Sequence, residues 1–133
     1  MVNRKFLVVL IIFANLFSGC TSNAQTVEKV VENFKNALFD RNINEASKYL
    51  VQERRERFIE SNQRYDDDGL RFYSELSKMK TEILRTSNVP SSTEEVICYF
   101  LNEKNEKIYR WRVYLKKNGN KWEITDFKKV EKI

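Results

Sequence analysis

The sequence contains no histidine among its 133 residues, and it has only one proline and two cysteines. Histidine is the side chain that most often acts as a general base, and it is also the commonest metal ligand. Its absence excludes catalytic triads and zinc sites of the usual kinds. From the sequence we therefore assign no catalytic residue, no cofactor and no metal ligand.

The N-terminal region lacks a hydrophobic run long enough to cross a membrane. The apolar stretch Phe6–Phe17 is interrupted by Asn15 and is shorter than the roughly 20 residues that a spanning helix needs. Arg4 and Lys5 precede this stretch. A basic start before a short apolar run is typical of a cleaved secretory signal peptide.

The junction after this run is Ser18-Gly19-Cys20, with Phe17 at the position where leucine is usual and Leu16 one step earlier. It resembles the lipobox of bacterial prolipoproteins. The resemblance implies that the Cys20 thiol takes a diacylglycerol and that its freed amine receives a further acyl chain such as palmitate. Two or more acyl chains anchor a protein stably to a membrane. The alternative is an ordinary secretory signal cut near Ala24, which would leave a soluble protein.

The predicted organisation is a signal peptide over residues 1–19, a lipidated cysteine with a short tether over 20–25, and a single domain over 26–133. The expected location is the bacterial cell envelope, lipid-anchored and facing the periplasm rather than the cell surface. Removal of residues 1–19 leaves 22 basic and 19 acidic residues, a net charge of +3. This small net charge, mixed along the chain, lacks the concentrated basic patch that is typical of nucleic-acid-binding proteins. The expected partners are the membrane and a small ligand or an envelope protein.

Lipidation of Cys20 would leave Cys98 as the only free thiol, so that no intrachain disulfide could form. Cys98 lies in an apolar run over residues 96–101. This setting favours a small buried side chain over a reactive nucleophile.

The first half of the domain has helical patterning. Thr26 can cap a helix that continues through Phe39, and its apolar residues fall at helical spacing. A second helix is predicted from about Asn44 and can continue through Val51 as far as Ile59. Within it, the charged residues 52–57 suggest a solvated face. A third helix, capped by Asp67 or Asp68, would present Leu70, Tyr73, Leu76 and either Met79 or Lys80 on one face.

Three adjacent aspartates before Gly69 raise the question of a calcium loop. With Gly69 at the sixth position of an EF-hand loop, Asp66, Asp68 and Glu75 fall at ligand positions. Arg64 then occupies the first position, where a carboxylate is needed, and Arg71 the eighth, where an apolar residue is needed. A cation at the first ligand position is incompatible with calcium binding.

The second half has strand patterning over residues 81–86, 95–101, 108–116 and 121–130. The dipeptide Asn118-Gly119 predicts a two-residue type I′ hairpin. That turn would place Leu115 opposite Trp122, as a core anchor, and Val113 opposite Ile124. A three-residue bulged turn would shift the pairing by one and place Trp122 among arginines, and the matching of apolar residues argues against it.

The order of helices followed by a strand meander indicates an α+β fold. The helical segments 27–38 and 46–50, and the hairpin segment 115–124, resemble the nuclear-transport-factor-2-like, or cystatin-like, superfamily. The resemblance is to its small bacterial lipoproteins of unknown function. It implies N-terminal helices packed on a curved antiparallel sheet that forms a cone. The superfamily contains both enzymes and binding modules, so that fold analogy does not choose between them.

Three functions remain open from the sequence. The favoured one is a non-catalytic envelope module that binds a small ligand or another envelope protein. The first alternative is a pocket enzyme of the isomerase or dehydratase type, with Asp126 as base on the face of Trp111 and with Tyr73 or Tyr109 as proton donor. These four residues are the predicted pocket lining. The second alternative is a structural partner or homodimer that pairs through the outer sheet face. The predicted residues of that face include Arg110, Arg112, Tyr114 and Phe127.

The lipobox interpretation predicts that Cys20→Ala abolishes fatty-acid labelling and leaves uncleaved precursor, because the modified thiol is lost. Metabolic labelling with a radioactive fatty acid measures the first effect, and the mobility of the protein on a gel measures the second. Ser22→Ala, two residues after Cys20, should retain both labelling and processing. Labelling that persists in Cys20→Ala would contradict the assignment.

Overall fold

A computed structural model describes residues 25–63 and 67–133. The predicted signal peptide, Cys20, most of the tether, and Arg64 and Asp66 of the calcium pattern lie outside the described residues. The described part is α+β, with four helices followed by a five-stranded antiparallel sheet. The helices are α1 (Val27–Phe39), α2 (Ile43–Ser47), α3 (Gln52–Asn62) and α4 (Asp67–Ser77). The strands are β1 (Lys80–Arg85), β2 (Thr93–Leu101), β3 (Lys107–Asn118), β4 (Lys121–Phe127) and β5 (Glu131–Lys132).

Helix α1 confirms the predicted cap and the predicted apolar face. The Thr26 hydroxyl accepts a hydrogen bond from the Lys29 backbone N–H at 3.2 Å, which satisfies one of the free donors of the first turn. The side chains at helical spacing on its inner face are buried, and they are Val27, Val30, Val31, Phe34 and Leu38. The helix ends at Phe39, as the sequence predicts.

A helix forms near the predicted start at Asn44, but its predicted continuation through Val51 to Ile59 is wrong, because Leu50 and Val51 leave the helix and lie along β4 between α2 and α3. The Val51 N–H donates to the Ile124 carbonyl at 2.9 Å, and the Ile124 N–H donates to the Tyr49 carbonyl at 2.8 Å. These bonds satisfy backbone groups along the free edge of β4, which would otherwise be an unpaired sheet edge. The connection thus fixes α3 beside β4.

Helix α4 begins at Asp67, so that Asp67 and Asp68 lie in its first turn rather than at the predicted cap position, and its apolar face also differs from the prediction. Leu76 is buried, whereas Leu70 is exposed. Phe72 packs partly buried against the core beside Tyr73.

The sheet order is β1-β2-β3-β4, and β5 pairs with the first part of β3. Along β2, Val96, Cys98 and Phe100 are buried and alternate with partly exposed residues. Two of their β3 partners, Val113 and Trp111, are buried too. The sheet therefore presents one face to the helices, as the alternation of a one-sided antiparallel sheet requires.

The predicted pairing of the β3–β4 hairpin is wrong by two residues. Asn118 pairs with Lys121, so that the two loop residues are Gly119 and Asn120. Gly119 has φ +64° at the first loop position, where a type II′ turn needs glycine. Trp122 consequently pairs with Lys117 and is only partly buried. A shift by two preserves the faces of the strand, since side chains alternate with a period of two.

A β-bulge at Thr125 then reverses the alternation of side chains in β4, so that the residues after it point to the opposite face of the sheet from the one predicted. Leu115 pairs with Ile124, but the next β3 residue, Tyr114, pairs with Asp126, which leaves Thr125 as the extra residue. Phe127 pairs with Val113 and turns toward the core. The predictions that Asp126 shares the face of Trp111 and that Phe127 lies on the outer face are therefore wrong.

The gain from this bulge is an aromatic cluster between the helices and the sheet. The ring of Phe127 lies 5.4 Å from Phe34 and 6.0 Å from both Phe58 and Trp111, measured between centroids. Phe34 in turn stacks on Trp111 at 5.7 Å. Contacts of this kind add to the free energy gained by burying the rings.

The bulge predicts that two adjacent substitutions destabilise the domain to different extents. Phe127→Ala should lower the free energy of unfolding by about 3 kcal/mol, because an inward aromatic side chain is lost. Asp126→Ala should cost less, about 1 kcal/mol, because it removes a half-exposed ion pair with Arg54 and one hydrogen bond from the Phe127 N–H. Urea denaturation measures both. A larger loss in Asp126→Ala than in Phe127→Ala would contradict the observed register.

Candidate binding cavity

A cavity of about 510 Å³ lies between the helices and the end of the sheet where β4 leads into β5. Its walls come from α1, α3, α4, β3 and the segment that follows β4. The lining residues are Leu38, Phe39, Leu50, Arg54, Arg57, Phe58, Ser61, Asn62, Tyr73, Trp111, Phe127, Lys128, Lys129 and Val130. This volume is within the range of small-molecule sites in proteins.

The floor of the cavity is apolar and largely aromatic. Leu50 and Trp111 are each 1% exposed, and Phe39 and Phe58 are also buried. Phe39 lies 5.5 Å from Trp111 between ring centroids, and Phe127 closes the floor from the β4 side. Such a surface can bind a hydrophobic group but offers it no acid or base.

The rim of the cavity carries four cationic side chains, Arg54, Arg57, Lys128 and Lys129. The two arginines are three residues apart on α3, which places them on the same side of the helix. The two lysines follow Phe127 directly, on the segment that leaves the bulged strand. All four are exposed at the surface. Of the side chains that line the cavity in the described part of the chain, none is acidic.

Arg54 is already bound within the domain. Its Nη1 atom donates to the Thr125 carbonyl at 2.6 Å and to Asp126 Oδ1 at 2.7 Å. The hydrogen bond from Arg54 holds the pKa of Asp126 below its usual range. Both side chains are nearly half exposed, at 44% and 45%, so that solvent screens the pair.

The other rim cations have fewer contacts. The Lys128 Nζ atom lies 6.0 Å from the centroid of the Tyr114 ring. Within residues 25–63 and 67–133, Arg57 and Lys129 form no ion pair and no side-chain hydrogen bond. These two charges remain available to a bound group.

A small polar region adjoins the rim at the end of α3. Asn62 is buried and donates from Nδ2 to the Phe58 carbonyl at 2.8 Å, and the Ser61 hydroxyl donates to the same carbonyl at 3.1 Å. The Asn62 carbonyl accepts a hydrogen bond from Arg41 at 2.6 Å. Arg41 also lies over the ring of Tyr73, with 5.6 Å between the guanidinium carbon and the ring centroid.

The four residues predicted to line a pocket separate into two pairs. Tyr73 and Trp111 line the cavity. Tyr109 packs edge-on against Phe72, with 5.5 Å between ring centroids, and is not part of the lining. Asp126 is not part of the lining either, because the bulge directs it to Arg54.

Sequence reasoning missed the α3 wall and the lysines of the rim. The charged run over residues 52–57 suggested a solvated helix face, and Arg54 and Arg57 are indeed exposed, but they border the cavity. The available signal was Phe58, an aromatic residue that directly follows this charged run. Lys128 and Lys129 could be placed at the rim only once the bulge was known.

Cys98 lies elsewhere in the core and is fully buried. Burial raises the pKa of its thiol to about 12, because the thiolate would lose its hydration there. The described residues contain no cluster of three or more carboxylates or thiols that could hold a metal ion.

The sequence matches no protein-family model and no curated protein. None of the helices in the described ranges has both the length and the hydrophobicity needed to cross a bilayer.

The buried position of Cys98 predicts that it resists alkylation in the folded protein. Iodoacetamide at mildly alkaline pH should leave Cys98 unmodified, since the thiol is protonated and shielded. The same treatment in guanidinium chloride should modify it fully, and mass spectrometry of the peptide over residues 96–101 measures both reactions. Rapid alkylation under native conditions would contradict the burial.

Proposed function

We propose that this chain is a membrane-anchored envelope lipoprotein whose domain is a non-catalytic module that binds a small ligand. The cavity with its apolar floor is the observation that supports binding. The order of helices and antiparallel strands supports the further proposal of a small lipoprotein with the cystatin-like cone of the nuclear-transport-factor-2-like superfamily. The short apolar run and the Ser18-Gly19-Cys20 junction support lipidation and a periplasm-facing location.

The proposed anchor would hold the cavity close to the bilayer. The tether over residues 20–25 can span at most about 20 Å when fully extended. The helix that follows starts at Val27. A ligand that exchanges with the membrane would therefore have a short path to the cavity.

The alternative of a pocket enzyme has weaker support. A general base at neutral pH needs a raised pKa, which usually comes from burial in an apolar site. The pKa of Asp126 is lowered instead by the hydrogen bond from Arg54, and the carboxylate lies outside the cavity lining. This placement favours a binding role for the domain.

The alternative of a partner or second copy on the outer sheet face also has weaker support. Arg110 pairs with Glu131 at 3.0 Å and Arg112 pairs with Glu95 at 2.9 Å, so that both guanidinium groups already have partners. Lys107 lies over the ring of Tyr99 at 4.2 Å. An incoming protein would have to compete with these contacts.

The binding proposal predicts a saturable response of Trp111 to a neutral apolar probe. Trp122→Phe leaves Trp111 as the only tryptophan, so that its emission reports on the cavity floor. Titration of the lipidated protein in phosphatidylcholine nanodiscs with 1-octanol, corrected with empty nanodiscs, should give a saturable change. The change arises because the chain enters the cavity beside the indole ring.

A pair of serine variants in the Trp122→Phe background locates the response. Ser61→Phe narrows the cavity and should weaken binding by about tenfold, because the volume for the probe is reduced. Ser74→Phe adds the same ring to α4 at a position outside the lining and should bind as before. No saturable response, or equal binding by both variants, would overturn the proposal.

A further inference from the structure

We propose that the ligand is a small anionic amphiphile, with an apolar tail on the aromatic floor and a carboxylate or phosphate group bound by Arg57 and Lys129. This inference rests on the proposed binding function. It adds the chemical class of the ligand, which the cavity shape alone does not specify.

The apolar and the cationic surfaces of the cavity are separated from each other. The floor contains fully buried apolar side chains such as Leu50 and Trp111. The cations occur only at the rim, where they stay in water before a ligand binds. A ligand that satisfies both surfaces must carry its charge at one end and its hydrophobic part at the other.

The rim of the cavity has a net positive charge. Asp126 neutralises Arg54 locally, but Arg57 and Lys129 have no ion-pair partner in the described residues. Glu53, Glu56 and Glu60 share α3 with Arg57, yet none of them lines the cavity or pairs with it. An anionic head would thus meet an excess of positive charge at the rim.

The geometry of the two cationic groups, Arg57 and Lys129, suits an anionic head. A guanidinium presents a planar fork of donors that matches carboxylate and phosphate oxygens, and a lysine adds a mobile point charge. Arg57 is on α3 and Lys129 on the segment between β4 and β5, so that the two groups approach a bound head from two different walls. A neutral head could accept a hydrogen bond but would gain no charge attraction, and a cationic head would be repelled.

Four probes with eight carbon atoms each test this inference on the Trp122→Phe protein in nanodiscs, with Trp111 emission as the readout. Octanoate and octyl phosphate should each bind about tenfold more tightly than 1-octanol, and octylammonium should bind most weakly. Tighter binding of octyl phosphate than of octanoate would identify a phosphate head as the preferred form, and the reverse order would identify a carboxylate.

Two double variants test which residues produce the preference for an anionic head. Arg57→Gln with Lys129→Gln should bring the affinities of octanoate and octyl phosphate down to the affinity that the same variant has for 1-octanol. Lys104→Gln with Lys121→Gln removes the same net charge from exposed positions outside the cavity lining and should retain the preference.

Three results would overturn the inference. Equal binding of all four probes would leave the cavity as a binding site without charge selectivity, so that the proposed function survives alone. Loss of the preference in both double variants would assign it to the overall field of the protein rather than to the rim. Absence of binding by every probe would remove the inference and the proposed binding function together.

Discussion

One unpaired residue in β4 determines how this domain is arranged around its cavity. Because Thr125 forms a bulge, the strand changes faces: Phe127 turns into the core and Asp126 turns away from it. Phe127 then completes the aromatic floor with Phe58 and Trp111. Without the bulge, an acidic side chain would point into the core, where an unpaired charge is costly.

The edge of β4 that does not pair with β3 positions the α3 wall of the cavity. The hydrogen bonds that Ile124 forms with Tyr49 and Val51 fix the start of α3 against the sheet. This placement brings Phe58 onto the floor and Arg57 to the rim, while Arg54 reaches the Thr125 carbonyl. Two backbone features of a single strand therefore position both the apolar and the cationic parts of the cavity.

The sequence predicted the elements whose signals are local and repeated. Helix α1 has a capping threonine and apolar residues at helical spacing, and β2 alternates over nine residues. The hairpin register could not be chosen from the sequence, because both Asn118-Gly119 and Gly119-Asn120 suit a two-residue turn.

The bulge and the break between α2 and α3 left no local mark in the sequence. Thr125 is an ordinary strand residue, and Leu50 and Val51 fit a helix face as well as they fit an edge segment. What selects the observed arrangement is tertiary: the pairing of a free sheet edge and the burial of Phe127. The cavity depends on both the bulge and the break between the two helices. Its rim therefore could not be predicted from the sequence.

The central claim is that the aromatic floor reached through the cationic rim is where this domain binds its ligand. Nuclear Overhauser effects between the methylene protons of bound octanoate and the aromatic protons of the protein test it directly. The account predicts contacts to the rings of Trp111, Phe58 and Phe127. Contacts to Tyr99 and Tyr114 instead would place the ligand on the other face of the sheet and contradict the account.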